Sequence, residues 1–185
     1  MSTRAGKPLL TRDDWTRAAL EAIARGGVRA VAVDRLAKGL GASRGSFYWH
    51  FRDRADLIDA ALGLWERENT TELIPLLEDV EDPKERLRTL LRAVYEQPVD
   101  QIELTLSAAG DDPAVAPAFA RVTAQRIEVL RRIFIDLGVA PEDAADRAWL
   151  GYAFYIGHHQ LSRNAQTAEL RPERLDRVVE LLTGR

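Results

Sequence analysis

The chain contains no cysteine among its 185 residues, and it has only three histidines. The absence of cysteine excludes disulfides, thiolate zinc sites and a cysteine nucleophile, and it suits a reducing cytoplasm. No stretch of about 18 apolar residues is present that could span a membrane. The first ten residues lack an apolar segment of the length that a signal peptide needs. We therefore expect a cytoplasmic protein that has no membrane partner.

Motifs typical of the common enzyme classes are also missing. The sequence has no Gly-x-Ser-x-Gly elbow, no P-loop and no glycine pattern for a dinucleotide. His158 and His159 are adjacent, but neighbouring side chains on a helix diverge by about 100° and rarely share a metal ion. We predict that the protein is not an enzyme and that it holds no metal and no cofactor.

Charge is distributed unevenly along the chain, although the net charge is only −3. Residues 1–54 hold 11 Lys or Arg and 5 Asp or Glu, whereas residues 55–185 hold 15 and 24. The first segment therefore carries +6 and the second −9. A basic segment attracts a polyanion, and the acidic remainder repels it. The alternative is a chance clustering of charges on solvated helix faces, which the charge count alone leaves open.

Apolar residues recur at helical spacing along almost the whole chain, and the one strand-like stretch, residues 28–33, is too short to count. We predict an all-α protein in which residues 1–10 form a flexible basic arm. The predicted helices cover residues 11–26, 33–39 and 43–51, a long segment from 54 to Pro75, then 84–97, 99–109, 111–137 and 141–163, and a last helix from Pro172.

Local signals mark the first helix boundaries. Thr11 lies three residues before Asp14, which is the capping-box pattern that opens a helix. Ser43 and Asp53 are good N-caps for the third and fourth helices. Gly41 follows the second helix, at a position where a tight turn needs a residue that tolerates positive φ. These signals predict three short helices before residue 54.

Residues 33–54 read VDRLAKGLGASRGSFYWHFRDR. Two short helices joined by about four residues that include glycine form a helix-turn-helix, whose second helix enters a major groove. Phe47 and Phe51 are one helical turn apart, so we predict that both lie in the core. Tyr48, Trp49 and His50 are consecutive and cannot all be buried, so at least one of them faces solvent.

The exposed residues of this segment suit double-stranded DNA. Arg44 has the donors that read a guanine edge, and Gly45 lets the backbone approach the duplex closely. Contacts with phosphates set the register of the protein on DNA rather than the base sequence, and they are predicted for Arg35, Lys38, Ser46, Tyr48 and Arg54. The whole set of predicted DNA-binding residues is Arg35, Lys38, Arg44, Gly45, Ser46, Tyr48, Trp49, His50 and Arg54. The alternative is a helical hairpin whose aromatic residues only pack and whose charges are only solvated.

Residues 11–65 resemble the DNA-binding domain of the TetR family of bacterial regulators. The matching positions are Ala18-Ala19-Leu20, Gly27, Leu36-Ala37, Gly41-Ala42-Ser43, Phe47 to Phe51, Arg54 and Leu57. The resemblance implies that Tyr48 and Arg54 contact phosphates and that residues 44–49 face the bases. The sequence departs from the family at Ala32, where Ser or Thr often caps the second helix. It also has Arg54 in place of the usual Lys and Ala55 in place of a frequent Glu.

The same resemblance implies a DNA-binding domain over residues 11–54 and a ligand-binding and dimerisation bundle over 55–185, with the helix from residue 55 shared by both. We therefore expect a homodimeric repressor that a small-molecule effector releases from a palindromic operator. The alternative is a helix-turn-helix protein that has no small-molecule input and is controlled by a protein partner or by none.

Two further sets of candidate residues lie in the C-terminal segment. The predicted effector pocket consists of Trp65, Tyr95, Leu104, Phe119, Tyr152, Tyr155 and His159, each of which could instead be ordinary core. For the dimer interface the last two long helices are favoured, because one has small residues and the other an apolar stripe. The predicted interface residues are Trp149, Gly157, Leu175, Val178, Val179 and Leu182.

Overall fold

The computed structural model describes residues 10–95, 101–164 and 172–184, without the side chains of residues 95, 162–164 and 172–175. Helices and turns account for the secondary structure of these ranges, and no strand occurs in them, so the all-α prediction is confirmed. The helices of these ranges are α1 (Arg12–Gly26), α2 (Val33–Leu40), α3 (Arg44–Phe47), α4 (Arg54–Glu66), α5 (Ile74–Glu78), α6 (Pro83–Tyr95), α7 (Gln101–Ala108), α8 (Ala116–Asp136), α9 (Pro141–Asn164) and α10 (Pro172–Thr183).

The predicted caps of the first helices are present. The Thr11 N–H donates to Asp14 Oδ2 at 2.7 Å, and the Asp14 N–H donates to Thr11 Oγ1 at 3.2 Å, which completes the capping box. The side chains of Ser43 and Asp53 each accept from the backbone N–H three residues further on. Gly41 has φ +63°, in the left-handed region that glycine adopts without strain. Local sequence therefore sets where these helices begin and end.

The third helix is shorter than predicted, because α3 ends at Phe47 and residues 48–50 form a turn. The N–H of Trp49 and the N–H of His50 donate to carbonyls three residues back, at 3.4 and 3.0 Å. Such bonds tighten the end of a helix into a turn. Ala32, at the start of α2, supplies no side-chain cap, as expected from its departure from the family pattern.

The long helix predicted up to Pro75 is interrupted earlier, so that boundary prediction is wrong. α4 ends at Glu66 and continues into a π-helical turn, Arg67–Thr71. Pro75 instead occupies the first turn of α5, where a missing N–H costs nothing. A π-helical turn redirects the chain without proline, and such turns often lie at functional sites.

Two cores hold the helices together. The first contains Trp15, whose ring meets that of Phe47 edge to face at 5.5 Å, and it includes both predicted core residues, Phe47 and Phe51. It also takes in most of the apolar residues of α4 and part of α8. The second core joins α6, α8, α9 and α10. Because α4 belongs to the first core, the helix-turn-helix is fixed to it by packing. Within the described ranges, no helix is long and apolar enough to cross a membrane.

Candidate DNA interface and ligand cavity

The predicted DNA-binding residues lie on the surface of α2, α3 and the turn after α3. The side chain of Phe47 is fully buried, and this fixes the rotation of the segment. Tyr48 and Trp49 consequently point outward, with exposed fractions of 53% and 79%. Four further members of the predicted set, Arg35, Lys38, Arg44 and Gly45, are exposed, and Ser46 and His50 are half-buried. Exposed cations and aromatic rings therefore occur together on this surface.

Two neighbours stabilise the charge of Arg44, whose side chain is largely exposed. A hydrogen bond with Tyr48 and the nearby Asp34 carboxylate raise the pKa of Arg44 above its ordinary value. The distance between Arg44 Nη1 and Asp34 Oδ1 is 3.7 Å. Arg44 is thus a cation that has one polar neighbour in α2 and one in its own segment.

Arg54 has a structural contact that the sequence did not predict. Its Nε donates to the carbonyl of Val31 at 2.7 Å, and its Nη2 donates to the carbonyl of Val28. These carbonyls belong to the short 3-10 turn between α1 and α2, Val28–Ala30, and to the residue after it. Arg54 therefore ties the start of α4 to this turn with two of its three nitrogens. The contact between Arg54 and a DNA phosphate stays a prediction, and it would use Nη1, because Nε and Nη2 donate to the two carbonyls.

Arg12 is a positioning residue that sequence reasoning missed. Its Nη1 donates to the carbonyl of His50 at 2.5 Å, and its guanidinium lies 4.1 Å from the centre of the Phe51 ring. Its Nη2 lies 3.6 Å from Asp56 Oδ1. Arg12 of α1 thus contacts both α4 and the end of residues 43–51, which we call the recognition segment. An arginine one residue after an N-cap carries no pattern that would have identified this role.

A cavity of about 370 Å³ lies among the π-helical turn, α5, α6, α8 and α9. Three of the predicted pocket residues, Tyr152, Tyr155 and His159, line it. Its wall is otherwise mainly aliphatic, and the residues that the sequence did not single out are Glu68, Asn69, Thr70, Leu73, Ile74, Leu77, Leu90, Leu91, Ala93, Val94, Arg126, Val129, Leu130 and Gly151. A volume above about 300 Å³ with a few polar groups is typical of small-molecule sites.

The other predicted pocket residues lie elsewhere. Trp65 is fully buried and stacks on Phe119, with ring centres 6.3 Å apart, in the first core. Leu104 is buried in α7 and does not line the cavity. The side chain of Tyr95 lies outside the described part of the chain. Helical periodicity indicates that such residues are buried, but it does not indicate which side of the core they face.

One end of the cavity is polar because Arg126 is there. Its Nη1 donates to Glu103 Oε2 at 2.8 Å, and the Glu103 side chain is fully buried. Burial by itself lowers the pKa of Arg126, but the Glu103 carboxylate together with Tyr155 and Tyr152 raises it above the ordinary value. The Tyr152 hydroxyl contacts both Thr123 Oγ1 at 3.2 Å and Glu103 Oε1 at 3.4 Å. Burial is the main reason why the pKa of Tyr152 lies above its ordinary value.

Comparison with known proteins identifies the N-terminal domain. Residues 16–61 match the family described as bacterial regulatory proteins, tetR family. The chain is 45% identical over 56 residues to an HTH-type transcriptional regulator of Saccharopolyspora erythraea, covering 30% of this chain and 24% of that protein. It is 32% identical over 95 residues to the HTH-type transcriptional regulator AcrR of Shigella flexneri, covering 49% and 43%. Residues 16–61 therefore form a domain that matches the TetR family.

These matches span less than half the length of each of the two curated relatives. The fold of the whole chain is similar to that of solved structures at lower identity. NemR of E. coli, in its reduced form, has a TM-score of 0.77 at 17% identity and covers 94% of this chain and 95% of that one. A putative transcriptional regulator from Saccharomonospora viridis, in complex with choline, has a TM-score of 0.75 at 19% identity and covers 94% and 93%. Identity this low shows the fold alone.

Helix α9 presents an apolar face to solvent. Trp149, Leu150, Phe154 and Leu161 are 61%, 54%, 39% and 65% exposed, and their spacing places them on one side of the helix. Gly157 is half-buried on the same side. The two α9 residues predicted for the dimer interface, Trp149 and Gly157, thus lie on this α9 face.

The predicted interface on α10 needs correction. Val179 is only 2% exposed and packs into the second core, and Leu182 is partly buried against the same core. The apolar stripe of α10 is therefore largely covered by its own chain. Val178 is half-buried, and Leu181, which was not predicted, is 69% exposed. The side chain of Leu175 lies outside the described residues.

Proposed function

We propose that this TetR-family protein is a homodimeric repressor that leaves a palindromic operator when a small molecule occupies the cavity. The observation that carries the proposal is the position of α4, which contacts the helix-turn-helix at one end and leads into the cavity wall at the other. A ligand can shift DNA binding only if it prefers one of two states of an element that both sites share. The position of α4 supports its assignment as such an element.

The N-terminal end of α4 is fixed to the DNA-binding domain by Arg54, through the carbonyls of Val28 and Val31. Its C-terminal end enters the π-helical turn, and Glu68, Asn69 and Thr70 of that turn line the cavity. A ligand that prefers a tilted α4 would therefore move the recognition segment as well.

A second connection supports the same route. Glu68 Oε1 accepts from Arg17 Nη2 of α1 at 2.8 Å. Glu68 also lines the cavity, so one side chain belongs to the cavity wall and to an ion pair with the DNA-binding domain. An exposed pair of this kind stabilises little by itself. Its value here is that it orients α1 relative to the π-helical turn.

The dimer proposal rests on the exposed face of α9. Four large apolar side chains form an exposed patch on one face of α9, and such patches mark interaction surfaces. The same face of a second copy would cover them. Two recognition segments related by a two-fold axis can bind half-sites about 34–36 Å apart. A coupling of about 1–3 kcal/mol would lower operator affinity about 5- to 150-fold when α4 tilts.

The test begins with the operator and then follows Trp65. Selection from random duplex DNA should return an inverted repeat, and a library of small metabolites is then screened for release of that repeat. With Trp15, Trp49 and Trp149 changed to Phe, and operator binding verified, Trp65 fluorescence should change over the same ligand range that releases DNA. Operator DNA must weaken ligand binding by the same factor that ligand weakens operator binding.

A cavity-filling variant supplies the control. Ala93 lines the cavity and does not belong to either core, so Ala93→Phe should occupy the space and abolish the response while operator affinity stays unchanged. Equal ligand affinity with and without operator would show that ligand and DNA are uncoupled. A helix-turn-helix protein without small-molecule control would then be the better description.

A further inference from the structure

We propose that the cavity selects an uncharged, mainly apolar ligand, because the ionic groups at its polar end already neutralise one another. The inference rests on the proposed function only in taking this cavity as the ligand site. It adds the chemical class of the ligand and the pair of residues that sets it.

The wall of the cavity favours an apolar molecule. Leucine, isoleucine, valine and alanine side chains from α5, α6 and α8 form most of it. Burying apolar surface is favourable in proportion to the area removed from water, so a hydrocarbon body gains most of its binding free energy there. The polar groups are confined to the π-helical turn, Arg126 and the aromatic residues of α9. The ligand class is therefore decided by what its polar end meets.

Arg126 is the cation at that end, and each of its three nitrogens has an acceptor. Nη1 donates to Glu103 Oε2 at 2.8 Å, Nε donates to Thr70 Oγ1 at 3.0 Å, and Nη2 donates to the carbonyl of Asn69 at 3.2 Å. Two of the five N–H donors of the guanidinium remain, but a carboxylate ligand that accepted from them would bring a second negative charge close to the buried Glu103. Arg126 compensates only one of these two charges, and an uncompensated buried charge is strongly unfavourable.

A cationic ligand finds no better partner. Glu103 is fully buried behind Arg126 and does not line the cavity, so an ammonium group would approach the guanidinium first. Glu68 does line the cavity, but its carboxylate is paired with Arg17. Tyr152, by contrast, presents a neutral hydroxyl, because burial raises its pKa, and a hydroxyl can hydrogen-bond an alcohol or a carbonyl group. An uncharged head group therefore binds without meeting a charge of its own sign and without disturbing an existing ion pair.

Three probes of equal chain length test this directly: 1-decanol, decanoate and decylammonium. Their binding to the full chain is measured by calorimetry at pH 8. The probe concentrations are kept below those at which micelles form. We expect 1-decanol to bind at least tenfold more tightly than either ion. Equal or tighter binding of one of the ions, or no binding of 1-decanol, would overturn the inference.

Variants of the ion pair give a second, independent measurement. Glu103→Gln leaves Arg126 without its counter-charge, so the affinity for decanoate relative to 1-decanol should rise at least tenfold. The double variant Glu103→Gln with Arg126→Gln removes both charges and should return the preference to 1-decanol. Glu128→Gln is the matched control, because Glu128 is an ion-paired carboxylate of α8 that does not line the cavity. An unchanged order in folded Glu103→Gln protein would contradict the assignment.

The outcomes separate this inference from the proposed function. If Glu103→Gln does not fold, as circular dichroism would show, the probe order in the natural chain and in the double variant still decides the ligand class. If 1-decanol binds as expected but leaves operator affinity unchanged, the ligand class stands and ligand-controlled release is refuted. If a charged molecule releases the operator from this cavity and 1-decanol does not bind, release stands and the ligand class is refuted.

Discussion

Replacing Arg54 tests whether one side chain both fixes α4 and contacts DNA. Its hydrogen bonds to the carbonyls of Val28 and Val31 are structural, and its charge next to the recognition segment suits a phosphate. Arg54→Ala removes both contributions. Arg54→Lys keeps the charge but lacks the forked donors that reach two carbonyls together. The two variants should therefore separate stability from DNA affinity.

The size of each effect follows from the contacts. Charge-assisted hydrogen bonds contribute about 1.5–3 kcal/mol each, and these two are only partly buried, so the lower end applies. Arg54→Ala should lower the free energy of unfolding by about 2–3 kcal/mol, and Arg54→Lys by about 1 kcal/mol. One phosphate contact per protomer contributes about 0.9 to the dependence of log affinity on log salt. Arg54→Ala should flatten that slope by about 1.8 for a dimer on its palindrome, and Arg54→Lys should leave it unchanged.

Urea unfolding at a fixed protein concentration measures the first quantity, and operator titrations at several salt concentrations measure the second. A flattened slope with unchanged stability would show that the carbonyl contacts contribute nothing. Reduced stability with an unchanged slope would show that Arg54 does not contact phosphate. Either result would refute the double role.

Three further predictions concern other parts of the molecule. Leu150→Glu combined with Phe154→Glu should give folded monomers, as measured by light scattering. The control Leu76→Glu, at an exposed leucine of α5, should remain dimeric. A dimer of the double variant would count against the α9 interface. Arg44→Ala should relax base preference at one position per half-site in titrations with base-substituted operators, and a uniform loss would remove its assignment to a base. Hydrogen bonds from two arginines lower the pKa of Glu128 to about 2. Its contribution is therefore present above its unfolded value of 4.5 and is lost as pH falls towards 2, so Glu128→Gln should be less stable at pH 6 and the difference should shrink by pH 3.

The sequence alone determined the helix-turn-helix and its boundaries to within a few residues. The signals there are local: Thr11 with Asp14, Ser43 before α3, and Gly41 in the turn each act on backbone groups two to four residues away. The one-turn spacing of Phe47 and Phe51 likewise fixed which side of the segment is buried. Interactions of this range are readable from residue order, because helix geometry relates near neighbours in the same way in every fold.

Only the tertiary structure decided how the helices face one another. Arg54 reaches carbonyls 23 and 26 residues away, and Arg126 reaches a carboxylate 23 residues before it on a different helix. The rotation of α10 places Val179 inward and Leu181 outward, although both are apolar. Helical periodicity defines an apolar stripe but not the helix that covers it or the space left between helices. The cavity and its buried ion pair exist because several helices pack at particular rotations, which no local pattern specifies.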